Sequence, residues 1–151
     1  MLFRSQTYWQ PYHDALQAEL ARCRRAHGHA VLLDAHSIKS ELPWLFDGTL
    51  PHMNIGTADG SACAPALRAD VAAVFAAPSD YSHVLDGRFK GGHITRHFGR
   101  PAEHTHAVQL EMCWRAYLDE AHPGVWHDAR AAAVQPLLQQ LVLTLRDWRP
   151  A

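Results

Sequence analysis

Four apolar residues in succession, Ala30, Val31, Leu32 and Leu33, follow an amphipathic segment closed by Gly28 and lead straight into Asp34, His36 and Ser37. A run this short and apolar predicts a buried strand over 30–34. In an open α/β sheet, ligands bind beyond the carboxyl ends of the strands. Asp34 and His36 are two residues apart, so extended backbone puts them on one face. A histidine there can bind a metal, with the aspartate as a ligand or as the group that orients it. It can equally be a histidine hydrogen-bonded at a strand end, and the spacing alone leaves both readings open.

The rest of the chain alternates between helical and extended patterns. Tyr12, Leu16, Leu20 and Cys23 recur at helical spacing and predict a helix over 7–27 that Gly28 closes. The loop after the first strand, punctuated by Pro43, Gly48, Pro51, Gly56 and Gly60, is long enough to suggest a functional role. A helix over 62–76 carries Leu67, Val71, Val74 and Phe75 on one side and ends at Pro78. Strands are expected over 82–87 and 93–98, joined through "RFKGG", and over 106–113. A last helix over 126–148 has Val134, Leu137, Leu138, Leu141, Leu145 and Trp148 as its apolar face, with Pro136 inside it as a kink or a helix start. The fold class expected is α/β, a sheet with helices packed on its faces. A chain of 151 residues suits one domain with a real core.

Three further stretches hold residues able to do chemistry. "LPHMNIGT" (50–57) offers Asn54, Gly56 and Thr57, which is turn chemistry first. "DGRFKGGHITRHFG" (86–99) sets Arg88, Lys90 and Arg96 around Gly91 and Gly92. If these cations converge they suit an acidic small molecule, because guanidinium forks match carboxylates; otherwise they are the charged edge of a solvated hairpin. "HTHAVQLEM" (104–112) puts His106, Val108, Leu110 and Met112 on one face and Ala107, Gln109 and Glu111 on the other. Burial raises a carboxyl pKa towards the range of a general base. Glu111 is either such a base or a glutamate on the wet face of an edge strand.

Composition excludes some partners. A net charge of −1 carries no footprint for a phosphate backbone, so nucleic acid is not expected. No apolar run spans a bilayer, and "MLFRSQTYWQPYH" has no signal-peptide core. The 3 cysteines form no CxxC pair, and an odd number without a secretory leader favours a reducing, cytoplasmic setting. No defensible Cys–His motif surrounds Cys113, and Ser37 has no GxSxG elbow. Some of the 12 histidines are expected to bind metal or move protons.

Taken in order, "YWQPYH", "LLDAHSI", "LPHMNIGT", "GRFKGGHITRHFG" and "HAVQLEM" resemble the N-formylglutamate amidohydrolase family, from about Tyr8 to Glu120. The resemblance implies a mixed sheet flanked by helices, like that of zinc carboxypeptidases and aspartoacylases. It implies hydrolysis of N-formyl-L-glutamate to formate and L-glutamate in histidine breakdown. It makes His36 a ligand of zinc or another divalent metal, with Asp34 beside it, and Glu111 the general base. Arg88 and Arg96 would hold the carboxylates of a small acidic N-acyl amino acid, and Asn54 and Thr57 would shape the pocket.

The resemblance also implies longer relatives. Residues 1–151 are expected to form a single domain matching the C-terminal part of the family domain, without its first strands and the other zinc ligands. The HxxE pattern is absent, since Lys39 stands three residues after His36; His52 occupies an expected acidic position, and His104 and Thr105 replace an expected glycine-containing turn. Three expectations follow: a piece of a working deformylase, a shortened homologue using His104 or His106 as ligands, or a non-catalytic homologue that binds an acidic ligand or partner chain. An incomplete sheet exposes an edge, so a homo-oligomer is plausible in each.

Overall fold

In the computed structural model, which describes residues 2–150, the chain opens on a helical turn, α1 (Leu2–Arg4), and passes through a π-helical turn (Ser5–Trp9) into α2 (Gln10–His27). Gly28 ends α2 at φ 79°, a left-handed conformation that glycine adopts without steric cost. Then come β1 (Ala30–Ile38), β2 (Met53–Gly56), α3 (Pro65–Ala76) and β3 (His83–Leu85). They are followed by α4 (His93–Phe98), β4 (Thr105–Cys113) and α5 (Asp128–Asp147), which contains Pro136.

The four strands form one mixed sheet in the order β1-β4-β2-β3. β4 runs parallel to β1 and antiparallel to β2, and β3 runs parallel to β2. Side-chain alternation then divides the sheet. One face carries Val31, Leu33, Met53, Ile55, Val108 and Leu110 and packs under α3 and α5 through Leu67, Val71, Val134 and Leu141. Those that are fully buried, such as Met53, Ile55 and Val108, each contribute roughly 1.5–3 kcal/mol of transfer free energy. The other face is apolar only at its start, where Ala30 and Leu32 pack with Leu20, Ile94 and Phe98 of α2 and α4. Its far half carries Asp34, His36, Gln109 and Glu111, which line an open cleft beside α4.

Several expectations change. The strand expected over 30–34 continues to Ile38, so Asp34 and His36 lie within it rather than after it. Residues 93–98 form α4, not a strand: Ile94, Thr95 and Phe98 face the sheet at helical spacing, and this packing overrides the strand preference of Ile94 and Thr95. "RFKGG" is therefore a strand-to-helix loop and no hairpin exists there. The turn expected at Asn54 is β2, and all four of its residues are buried. The edge-strand reading of Glu111 fails because β4 lies between β1 and β2, with Glu111 only 8% exposed.

Gly56 permits the close approach on which the cleft depends. A Cβ there would lie 2.4 Å from the Gly91 amide nitrogen and 2.5 Å from the Lys90 carbonyl carbon, both backbone atoms. Gly56→Ala is expected to destabilise the fold by about 1–3 kcal/mol, the usual range for overpacking. Urea unfolding checks this, and an unchanged midpoint would show that the loop yields freely.

Candidate active site

The far half of this sheet face floors a cleft of about 510 Å³, within the range of small-molecule sites. Asp34 and His36 of β1 and Gln109 and Glu111 of β4 form the floor. The strand register makes this arrangement: His36 pairs with Glu111, and Asp34 with Gln109. The walls are the loop Arg88–Gly92 and residues His93, Ile94 and Arg96 of α4. A smaller pocket of about 90 Å³ lies at the other end of β4, beside Thr105, and holds none of these floor groups.

Each floor group is held. Asp34 Oδ1 lies 2.8 Å from His36 Nε2, and the buried Thr95 hydroxyl donates to Asp34 Oδ2 at 3.4 Å. Asp34 thus fixes the orientation of the more exposed imidazole. Glu111 is buried, and this burial pushes its carboxyl pKa up; the charge of His36 opposes this and that of Asp34 adds to it. Gln109 Oε1 accepts the Gly92 amide at 2.6 Å and so ties the loop to β4.

Cations form the rim. Arg88 donates to the Leu45 carbonyl, and its guanidinium carbon lies 5.3 Å from the Phe46 ring centroid. Phe46 packs in turn on Phe89, with ring centroids 6.2 Å apart. The long loop after β1 therefore holds a cation beside the cleft. Glu120 ties that loop down by accepting Ser40 N at 2.8 Å and Ser40 Oγ at 2.6 Å. Arg96 donates to the Gly91 carbonyl at 2.5 Å. Lys90 pairs with Asp59 at 2.9 Å.

Of the residues expected from sequence, Asp34, His36, Arg88, Arg96 and Glu111 meet in this cleft. Asn54 and Thr57 do not line it. Asn54 is 1% exposed and donates to the Pro51 and Glu111 carbonyls, clipping β2 to β4. Thr57 is fully buried; its amide and hydroxyl both donate to Asp86 at 2.6 Å. The substitute ligands do not reach the cleft either. His106 points to the opposite face, where its ring lies 4.7 Å from that of Trp148, and His104 precedes β4 at its far end. The Cys113 thiol is buried and pushed up to about 11, far from thiolate reactivity. Gln109 was not singled out from sequence, although its position two residues before Glu111 places it on the same face.

The donor set bears on a metal. A catalytic zinc takes three protein ligands. Among the described residues, no group of three or more histidine, cysteine, aspartate and glutamate side chains is placed to hold one. His36 and Asp34 contribute part of a site, and their fit to a complete one fails on ligand number.

The profile of the N-formylglutamate amidohydrolase family matches residues 2–118. An N-formylglutamate deformylase of Pseudomonas aeruginosa is 51% identical over 140 residues, which is 93% of this chain and 53% of that protein. Its counterpart in Pseudomonas putida is 50% identical over 140 residues, covering 93% and 52%. The crystal structure of an N-formylglutamate amidohydrolase from Ralstonia eutropha JMP134 superposes with a TM-score of 0.75 at 24% identity, over 96% of this chain and 51% of that one. The chain spans about half the length of the relatives it matches.

Proposed function

The chain belongs to the N-formylglutamate amidohydrolase family, and we propose that its cleft serves the hydrolysis of N-formyl-L-glutamate to formate and L-glutamate, as a cytoplasmic step of histidine degradation. The observation that carries this reading is the buried Glu111 on β4, its carboxyl pKa raised by burial, paired with His36 on the floor of a cation-rimmed cleft.

In this reading Glu111 takes a proton from water as the water oxygen bonds to the formyl carbon. The same proton passes to the amide nitrogen as the C–N bond breaks, leaving formate and the amine of glutamate. Arg88, Lys90 and Arg96 supply positive charge for the carboxylates and for the developing oxyanion. Zinc or another divalent ion enters the proposal as a group for which His36 and Asp34 would supply part of the ligand set. That shortage of donors favours a second reading, in which the cleft binds the acidic ligand without turnover. No helix among the described residues is long and apolar enough to cross a membrane.

Arg96→Ala is expected to raise KM for N-formyl-L-glutamate by about 10- to 100-fold with a smaller change in kcat, the loss of one charge-assisted hydrogen bond. Steady-state kinetics check it. An unchanged KM would remove Arg96 from the substrate contact.

A further inference from the structure

Gln109 is 4% exposed, lines the floor of the cleft and is bonded at only one of its two amide atoms. The Gly92 amide needs an acceptor, so the atom 2.6 Å away is the oxygen of Gln109, and the assignment of its amide follows. That leaves Nε2, a two-proton donor, without a hydrogen-bond partner among the described residues in a side chain that cannot rotate without breaking the Gly92 bond. Held in this way, the donor faces the cleft at low entropic cost.

Its place in the sheet says what it meets. Gln109 pairs with Asp34, one rung before the rung of Glu111 and His36. Two residues of strand separate the rungs by about 6–7 Å. In an extended N-formylglutamyl group the distal carboxyl carbon lies five bonds from the formyl carbon, about 6 Å, whereas the α-carboxyl carbon lies only three bonds away. With the scissile carbonyl at Glu111 and the substrate side chain directed towards the start of β4, the distal carboxylate reaches the rung of Gln109.

We infer that Gln109 is the specificity-determining residue for the distal carboxylate, donating from Nε2 to an oxygen that Arg96 and Arg88 attract by charge. The inference rests on the deformylase reading of the same cleft. A neutral amide at this rung offers a donor without burying another ion, and it can be inverted. Gln109→Glu keeps an acceptor for Gly92 but replaces the donor with an acceptor. It should reject a distal carboxylate and accept a distal carboxamide.

The test uses two probes that cannot be hydrolysed, N-methylsulfonyl-L-glutamate and N-methylsulfonyl-L-glutamine, titrated calorimetrically into the wild-type chain and Gln109→Glu. The wild type should prefer the glutamate probe by at least tenfold. The variant should bind that probe at least 100-fold more weakly while holding the glutamine probe within about fivefold, so that the preference inverts. A merely structural role would weaken both probes alike, and that result, or no change in either, overturns the inference alone. No binding of either probe by the wild type overturns the substrate reading and this inference together. Should Gln109→Glu not fold, the wild-type Gln109 side-chain amide resonance provides the readout. It should shift on saturation with the glutamate probe, and an unmoved resonance overturns the assignment.

Discussion

Replacing Glu111 by glutamine is expected to reduce formate release by about 10²–10⁴-fold, the span of a lost general base, and at the same time to make the chain more heat-stable at neutral pH. Both effects come from the same burial. The Glu111 carboxyl is raised above its ordinary 4.5, first by desolvation, with His36 opposing and Asp34 adding to the shift. The folded chain therefore holds this proton more tightly than the unfolded chain. As pH rises from about 4.5 through the raised value, the wild type loses stability, and above that value it stays at the lower level. Glutamine never ionises, so the variant avoids that loss. Melting curves from pH 4 to pH 8 should coincide at the acid end and diverge upward. A variant that melts below the wild type at pH 7, or that retains full turnover, contradicts the assignment of Glu111.

Asp86→Ala is expected to remove about 3–5 kcal/mol of stability, the cost of breaking a buried charged network. The Asp86 side chain is 5% exposed and accepts from the Thr57 amide and hydroxyl, from Arg68 at 2.8 Å and from the Asp59 amide. Its backbone also sits at φ 52°, which alanine tolerates poorly. Against a total stability of about 5–15 kcal/mol the change is large. Burial alone would raise the Asp86 pKa, but the hydrogen bonds from Thr57, Arg68 and Asp59 outweigh it and hold it below 3.8. The stabilisation is complete above 3.8 and is lost as pH falls through the depressed value. Acid unfolding of the variant should therefore be flatter below that point. A loss under 1 kcal/mol, or an unchanged acid limb, would show that solvent replaces the network.

These two residues also mark what sequence could and could not supply. The pairing of His36 with Glu111 is half legible, because alternation puts Asp34 with His36 and Gln109 with Glu111 on the face of each strand. That β4 lies between β1 and β2 is a matter of long-range pairing, which no local pattern in "HAVQLEMC" encodes. Asn54 and Thr57 looked like pocket residues because short polar groups beside glycine fit both a turn and a site. The buried clip to β4 and the bond to Asp86 appear only once β2 is paired. Residues 93–98 read as a strand through Ile94 and Thr95, whose branched side chains favour strands locally, while the packing of Ile94 with Leu32 and Leu20 and the bond from Thr95 to Asp34 hold them in α4. Arg88 illustrates the remainder: its place at the rim depends on Phe46 and Leu45, more than forty residues earlier in the chain.

The central claim is that the Glu111 cleft hydrolyses the formamide of N-formyl-L-glutamate. A single-turnover assay tests it most directly, with the purified chain in excess over substrate, zinc supplied and His36→Ala in parallel. The account predicts formate and L-glutamate appearing in equal amounts from the wild-type chain, and a loss of that release in His36→Ala. Substrate that binds and is recovered intact, with no formate from the wild type, would contradict the hydrolytic claim and leave the cleft as a binding site for an acidic ligand.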